Sequence, residues 1–537
     1  MTSDANTPRA YPHKAPHDSP GNSPTLPTDI FDAPAGPLIG RVDSETGVAC
    51  FRGIPFAVPP VGERRWLPPQ KYPRWHTPRD AATFGMPAAQ NPSVLFDVVG
   101  PNGEKPEGED CLYLNIYAPP NAAPGKTALP VMVWIHGGSF YLGAGSQEIY
   151  NGRHLAASGR AIIVTFNYRL GALGFLRLAD ISDIPATGNE GLLDQIAALE
   201  WVRENIAAFG GDPNKITLFG ESAGAMCITS LLAAPRSRDL FQRAIVQSGN
   251  PSTVHSRERA NDLARGFVEH LARIRGNDDP ADASTQELLQ AQLAVLSDPR
   301  MEQHWGQLPF KPVLDSQLLS AEPIAVLRNG HAADIPLMLG YNLDEWNLFS
   351  ATAPDSFTLD DDQIRARLEW MLPGDALAPL LTHYHRKARS LVADPWPAWS
   401  RTWNLMLTDM VFTLPGMRFL QAHGGRNYHY HFAQPLASQP LLGACHAVEL
   451  GYVFGTHGDD SVQNLYGGET DPHTLSEAMR AAWLHFAEHG DPGEDWPAFS
   501  EGHSRRFGDH PQARTFDPTE VAELWQHVPH EWLQRYL

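Results

Sequence analysis

Cysteine is scarce in this chain of 537 residues, with four in all: Cys50, Cys111, Cys227 and Cys445. They show no metal-ligand spacing and are too few to form a disulfide framework in a chain of this length. Basic residues are outnumbered, with 41 Lys+Arg against 61 Asp+Glu and a formal net charge of −20. That balance argues against nucleic acid or an anionic membrane surface as a partner, because both are bound through basic patches. Long hydrophobic runs are missing too: stretches such as 131–135 and 161–164 are far too short to cross a bilayer. Gly/Ser linkers and internal repeats are absent. Residues 36–537 are therefore expected to form one large domain with elaborated loops. Residues 1–35 are rich in Pro, Ser, Asp and Asn and hold no apolar core for a signal peptide. They are expected to be a disordered extension, and the chain to sit in a reducing, cytoplasmic compartment.

What is present is a series of short apolar runs at 111–117, 131–135, 161–167, 216–219, 244–247 and 335–339, several of them β-branched. Such runs suit strands covered on both faces. Between the third and fourth, Leu192, Ile196, Leu199, Val202 and Ile206 recur every three or four residues, the period of a helix. Strands alternating with helices predict an α/β fold with a mostly parallel central sheet and helices on both faces. Residues 252–307 and 355–401 read as helical insertions above that sheet, placed to shape a pocket. The proline-punctuated stretch 51–69, FRGIPFAVPPVGERRWLPP, is expected to wrap the surface rather than enter the sheet.

The most informative segment is FGGDPNKITLFGESAG at 209–224. Ile216, Leu218 and Phe219 predict a buried strand, and the small residues from Ala223 onward predict a helix. Ser222 falls at the corner, with Gly220 and Gly224 at the spacing of a nucleophile elbow. The alternative is a structural serine in a glycine turn. The strand before it and the helix after it favour the elbow.

A seryl hydroxyl is a weak nucleophile near neutral pH, so Ser222 requires a histidine base oriented by a carboxylate. Among 23 histidines, His446 in GACHAVELGYVFG lies in a small-residue loop late in the chain, as the order serine, acid, histidine requires. His429 and His431 form a rival HxH pair that could ligate metal from one face of a strand. Tyr428, Tyr430 and Phe432 around them make an ordinary strand pattern. For the acid, GYNLDEWNLF places Asp344 and Glu345 on a loop after a strand, and position alone does not separate them. VMVWIHGGSF supplies a glycine-rich loop after another strand, suited to donate backbone N–H groups to an oxyanion.

Taken in order, FGG…GESAG, EDCLYLN at 109–115, NYRLGALGFL, GNEGLLDQ, VQSGNP, GYNLDEW and GACHAVELGYVFG resemble the type B carboxylesterases. That family includes animal carboxylesterases, cholinesterases and bacterial para-nitrobenzyl esterases, and the likeness spans about residues 38–497. The resemblance implies an α/β-hydrolase fold and a serine esterase that needs no metal or organic cofactor. It also implies a small-molecule ester and water as the reactants. By motif it makes Ser222 the nucleophile, Glu345 the acid and His446 the base, with an oxyanion hole from Gly138, Ser139 and Ala223. It further implies support from Glu221 and Glu449 near the histidine, a Ser248 bond to the acid, and an Arg65–Glu109 ion pair. Glu221 and Glu449 are not expected to carry charge together at neutral pH.

Departures from the family narrow the substrate. The stretch 88–96, AAQNPSVLF, lacks the cysteine that pairs with the EDCLYLN cysteine in secreted relatives, so Cys111 is expected to be a free buried thiol. The same stretch lacks the tryptophan that holds choline in cholinesterases, which points to an uncharged ester. Phe140 and Trp346 are expected to line the pocket, and the Ser139 hydroxyl to add a polar contact beside the oxyanion hole. Two alternatives share these motifs: hydrolysis of a carbamate, amide or lactone by the same triad, and a non-catalytic adhesion or scaffold role.

Overall fold

A computed structural model describes residues 26–93, 106–126, 128–391, 394–467, 471–499, 502–508 and 518–536. Among them, twelve strands join into one sheet. In chain order they are β1 (Leu26–Ala33), β2 (Gly36–Val42), β3 (Ala49–Pro55), β4 (Arg79–Asp80), β5 (Tyr113–Ala118) and β6 (Leu129–Ile135). There follow β7 (Ile162–Phe166), β8 (Gly211–Glu221), β9 (Arg243–Gln247), β10 (Leu337–Asn342), β11 (Asn427–Phe432) and β12 (Arg505–Phe507). The spatial order is β1-β2-β3-β5-β7-β6-β8-β9-β10-β11-β12, with β4 beside β2. From β7 to β12 every neighbouring pair is parallel, while β1, β2, β3, β5 and β7 pair antiparallel.

The side-chain period of two along β6 divides the core into two layers. Val131, Val133 and Ile135 enter one cluster, and Met132 and Trp134 enter the other. The first layer is covered by the helices Glu190–Asn205, through Leu192, Ile196, Leu199 and Val202, and Ala223–Ala233, through Ala225, Ile228 and Leu231. The second is covered by Pro472–His489, through Met479, Trp483 and Phe486. Each large apolar side chain removed from water this way contributes about 1.5–3 kcal/mol before the entropy of ordering it. Helices thus lie on both faces of a mostly parallel sheet, as the alternation predicts. The stretch 252–307 holds the helices Arg257–Arg275, Thr285–Leu296 and Met301–Trp305 between β9 and β10, and the stretch 355–401 holds Asp361–Leu368, Gly374–Ser390 and the start of Ala398–Thr408 between β10 and β11.

Two expectations need correction. Of the extension expected over 1–35, residues 1–25 lie outside the described residues, but Leu26–Ala33 is a strand paired with β2. Phe31 anchors it, packing on Phe51 and Phe209 at ring distances of 4.8 and 5.6 Å. The stretch 51–69 enters the sheet, because Phe51–Pro55 belongs to β3 between β2 and β5. Its prolines do not prevent this: Pro55 is the last strand residue, and Pro59 and Pro60 come after it. A register shift between Phe51 and Ile54 absorbs Gly53, whose φ of +68° few other residues adopt. Further along, Trp66 is buried and its indole N–H donates to the Ala172 carbonyl at 2.8 Å.

Candidate active site

The candidate residues leave the sheet at the carboxyl ends of its parallel strands, where open α/β sheets hold their sites. Ser222 follows β8, Ser248 follows β9, Glu345 follows β10, and Gly138 and Ser139 follow β6. His446 stands in the loop between β11 and the helix Leu450–Phe454.

At the end of β8 the chain turns so sharply that Ser222 takes φ 53° and ψ −126°. A non-glycine residue in that region stores about 1–3 kcal/mol of strain and is held there by its surroundings. The Ser222 N–H donates to the Gln247 carbonyl at 2.9 Å, and the Ser222 carbonyl accepts from the Met226 N–H at 2.9 Å. The flanking glycines are sterically required. A Cβ on Gly220 would sit 2.7 Å from the Ile135 carbonyl oxygen, and one on Gly224 would collide with the same atom. The serine is thus lifted onto an elbow between strand and helix.

The loop after β6 is bent by Gly138, Ser139 and Phe140 in succession, at φ 108°, 55° and 65°. Its turn is closed by N–H groups of Tyr141 and Leu142 donating to the Gly138 carbonyl. Among the described residues, no protein acceptor takes the N–H groups of Gly138, Ser139 or Ala223. The Ser139 side chain lies near the Tyr141 phenol, whose pKa burial pushes up.

Glu345 and His446 are joined directly, with His446 Nδ1 2.6 Å from Glu345 Oε2. The other carboxylate oxygen, Oε1, accepts from the Ser248 hydroxyl at 2.5 Å and from the Asn342 N–H at 2.8 Å. Asp344 faces elsewhere: its Oδ1 accepts from Arg401 Nη2 at 2.7 Å and its Oδ2 from the Ala444 N–H at 3.0 Å. Of the two candidate acids, Glu345 is the one that reaches the histidine.

On its far side the imidazole meets Glu221, with Nε2 3.0 Å from Oε1 but not aligned for a ring N–H bond. Among the described residues, no hydrogen bond joins Nε2 to the Ser222 hydroxyl. Such bonds are commonly loose in an unliganded site and tighten when substrate arrives. Glu449 lies deeper, its carboxylate accepting from Gln247 Nε2 at 3.0 Å and Asn342 Nδ2 at 2.7 Å. Burial pushes the Glu221 carboxyl up. Burial, reinforced by the charges of Glu221 and Glu345, pushes Glu449 up to about 8, so it holds a proton at neutral pH. Burial alone would push His446 down, but the carboxylates of Glu221 and Glu345 outweigh it and hold the imidazole well above 6.5.

Ser222, His446, Gly138 and Ser139 border one narrow cavity of about 50 Å³ together with Tyr150 and Phe349. The rings of Phe349 and Phe412 flank His446 at 5.2 and 5.1 Å. Phe140 and Trp346, expected to line the pocket, do not border this cavity. Phe140 turns into the core against Phe175 at 5.2 Å, because its positive φ directs the side chain inward. Trp346 lies behind Phe349, 4.8 Å from it, and packs on Tyr536. Sequence reasoning missed Phe349 and Phe412. Phe349 was in sight, within the GYNLDEWNLF motif that carries Glu345, whereas Phe412 sits in the π-helical turn Asp409–Thr413, which carried no sequence signal.

The remaining expectations fall as follows. Arg65 grips Glu109 through two bonds, Nε to Oε2 at 2.8 Å and Nη2 to Oε1 at 2.6 Å. All four cysteines are free and buried. His429 and His431 point from β11 into buried surroundings, where His429 Nδ1 lies 2.7 Å from the Ser504 hydroxyl. Part of the stretch 88–96 lies outside the described residues.

A strand-to-helix elbow on a mostly parallel sheet, with a histidine and carboxylate gathered beside it, defines an α/β-hydrolase. The chain belongs to the carboxylesterase family, whose model, described as Carboxylesterase family, matches residues 27–521. It is 40% identical over 468 residues to a para-nitrobenzyl esterase of Bacillus subtilis strain 168, covering 85% of this chain and 90% of that one. It is 31% identical over 525 residues to an acetylcholinesterase of Bungarus fasciatus, covering 89% and 82%. Among solved structures, a PNB esterase superposes with a TM-score of 0.77 at 35% identity, covering 92% of this chain and 99% of that one. A Geobacillus stearothermophilus carboxylesterase gives 0.77 at 34%, covering 93% and 100%. The protein is a carboxylic-ester hydrolase. No helix among the described residues is long and apolar enough to cross a membrane.

Proposed function

We propose that the protein hydrolyses uncharged carboxylic esters through an acyl-enzyme formed on Ser222. His446 takes the hydroxyl proton as Ser222 Oγ attacks the ester carbonyl, and the resulting oxyanion accepts from the N–H groups of Gly138, Ser139 and Ala223. The C–O bond to the alcohol breaks, and His446 returns the proton to the departing oxygen. Water, deprotonated by His446, then attacks the acyl carbon and releases the acid and Ser222. Glu345 fixes the ring through Nδ1 and stabilises the imidazolium formed in each half. The single observation that carries this reading is the chain of bonds from Ser248 and Asn342 through Glu345 to His446, ending at the cavity that Ser222 borders.

The Bacillus subtilis relative is a para-nitrobenzyl esterase by name. A neutral aromatic alcohol portion also suits the aromatic ring of Phe349 at the cavity wall. The four free buried thiols fit a reducing, cytoplasmic setting. A fluorophosphonate probe is expected to label Ser222 in the wild type. Ser222→Ala, with folding checked by circular dichroism, is expected to lose both labelling and turnover of para-nitrophenyl butyrate. Undiminished turnover in that variant would overturn the assignment.

A further inference from the structure

Gln90 is a buried side chain whose hydrogen-bonding capacity is spent largely on one other residue. Its Oε1 accepts from the Gly143 N–H at 2.8 Å, and its Nε2 donates to the Gly143 carbonyl at 3.0 Å and to the Ala88 carbonyl at 2.9 Å. One acceptor oxygen and two N–H donors are all that a glutamine amide offers, and each has a partner here. Gly143 closes the loop that begins at Gly137, and both residues border the cavity beside Ser222. The two ends of the loop touch: a Cβ on Gly143 would stand 2.6 Å from the Gly137 carbonyl oxygen and 2.6 Å from His136 Nδ1. Between them, Ser139 and Phe140 are held in left-handed conformations that side-chain-bearing residues resist. A loop strained in this way keeps its shape only when its ends and middle are fastened. Strand β6 fastens one end, and the Gly171 N–H donating to the Phe140 carbonyl at 2.7 Å fastens the middle.

The next residue extends the brace. Asn91 donates to the Leu289 carbonyl and accepts from Gln292 Nε2 at 2.8 Å, while Gln292 Oε1 accepts from the Ala172 N–H at 2.8 Å. Two consecutive amide side chains thus tie the far end of the loop to the helix Thr285–Leu296 and to the residue after Gly171.

We infer that Gln90 is a positioning residue for ester hydrolysis: by clamping both backbone groups of Gly143, it sets the place of the Gly138 and Ser139 donors relative to Ser222. This rests on the reading of Ser222 as nucleophile and of those N–H groups as its oxyanion hole. A displaced oxyanion donor weakens binding of the transition state more than binding of the ground state, so the effect falls on kcat.

The test uses the full chain, with active sites titrated by a fluorophosphonate so that each rate refers to folded, reactive enzyme. Gln90→Met keeps the length of the side chain and removes all three bonds. It is expected to lower kcat for para-nitrophenyl butyrate about 10- to 100-fold with KM within about twofold. Affinity for a trifluoromethyl ketone, which forms a tetrahedral adduct on the serine, should fall by the same factor as kcat/KM. Asn91→Ala, which loosens the outer part of the brace but leaves Gly143 held, is expected to lower the thermal midpoint and to lower kcat by a smaller factor than Gln90→Met does. If Gln90→Met does not fold, Gln90→Glu, which retains the acceptor for the Gly143 N–H, decides by the same two ratios. An active wild type with unchanged kcat and ketone affinity in the folded Gln90 variant would overturn the role of Gln90 alone. An unlabelled, inactive wild type would overturn the nucleophile reading beneath it.

Discussion

Asp344 holds Ala444 by both of its backbone groups: the Asp344 N–H donates to the Ala444 carbonyl at 2.9 Å, and Asp344 Oδ2 accepts from the Ala444 N–H at 3.0 Å. Ala444 lies just before Cys445 and His446, so this bracket joins the loop of Glu345 to the loop of His446. The other oxygen of Asp344 holds the buried Arg401, which also lies against Asp394. Adjacent carboxylates therefore divide the work, Asp344 fastening the loops and Glu345 orienting the imidazole.

That division separates two substitutions. Asp344→Ala takes one of two carboxylates from Arg401 and one of two bonds from Ala444; leaving a buried charge wholly unpaired costs about 3–5 kcal/mol, and the cost here is smaller because Asp394 still faces Arg401. A fall in thermal midpoint is expected. Glu345→Gln should stay folded, with kcat lower by about 10³- to 10⁴-fold, because the amide no longer stabilises an imidazolium. Thermal melts and steady-state rates on both variants check the pair, and a destabilised Glu345→Gln with near-normal kcat would contradict it.

The pH profile of activity should depend on Glu221. In the proposed mechanism His446 serves as a base, which it can do only when deprotonated, and Glu221 and Glu345 hold its pKa well above 6.5 against the downward pull of burial. The rate is therefore expected to rise with pH through a midpoint on the alkaline side of an ordinary histidine. Glu221→Gln removes one of the two charges favouring the imidazolium, so the midpoint of kcat/KM should move toward acid. A midpoint unmoved, or moved toward alkali, would exclude this electrostatic role.

Stability has its own pH dependence through Glu449. Its carboxyl is pushed from 4.5 up to about 8, so the folded state keeps a proton that the unfolded chain releases. A raised folded pKa gives stability that is fully present below the unfolded value and is lost as pH rises through the folded one. The free energy of unfolding should therefore decline between about pH 5 and pH 8, and decline less in Glu449→Gln, which carries no ionisable group there. Urea melts at several pH values check this, with parallel profiles for the two proteins as the contrary result.

The residues proposed for the chemistry stand out in the sequence where spacing constrains them. Gly220 and Gly224 around Ser222 are fixed by contact with the Ile135 carbonyl, which leaves a sequence signature. The carboxylate beside His446 was half legible: the motif offered Asp344 and Glu345, the resemblance favoured Glu345, and the fold shows that Glu345 meets His446. What was not legible depends on contacts across the chain. Strand β1 is defined by Phe31 meeting Phe51 and Phe209, and the entry of β3 into the sheet by its pairing with β5, relations that local composition does not contain. Reading proline as a surface marker failed at 51–55 because the proline stood at the end of the strand, where no ladder bond is lost within it. Phe412 belongs to no motif and is brought beside His446 only by the helices that follow β10.

The narrowness of the cavity beside Ser222 makes Phe349 a determinant of which esters fit. At about 50 Å³ the free space holds only a few waters, so the groups flanking an ester carbonyl must fit against the ring or displace it. Phe349 is held from behind by Trp346 at 4.8 Å, which limits how far it can yield. Phe349→Ala opens room at the cavity wall, at a cost of about 3–5 kcal/mol if the ring is fully packed and less at a wall open to substrate. Turnover of a bulky ester such as para-nitrophenyl benzoate is expected to rise relative to para-nitrophenyl acetate by about 10-fold or more in kcat/KM, since one or two added methylenes of fit are worth about that factor. Trp346→Ala should shift the same ratio in the same direction by a smaller amount, because it frees Phe349 to move without removing it. An unchanged ratio in Phe349→Ala would place the limit on substrate size elsewhere in the cavity.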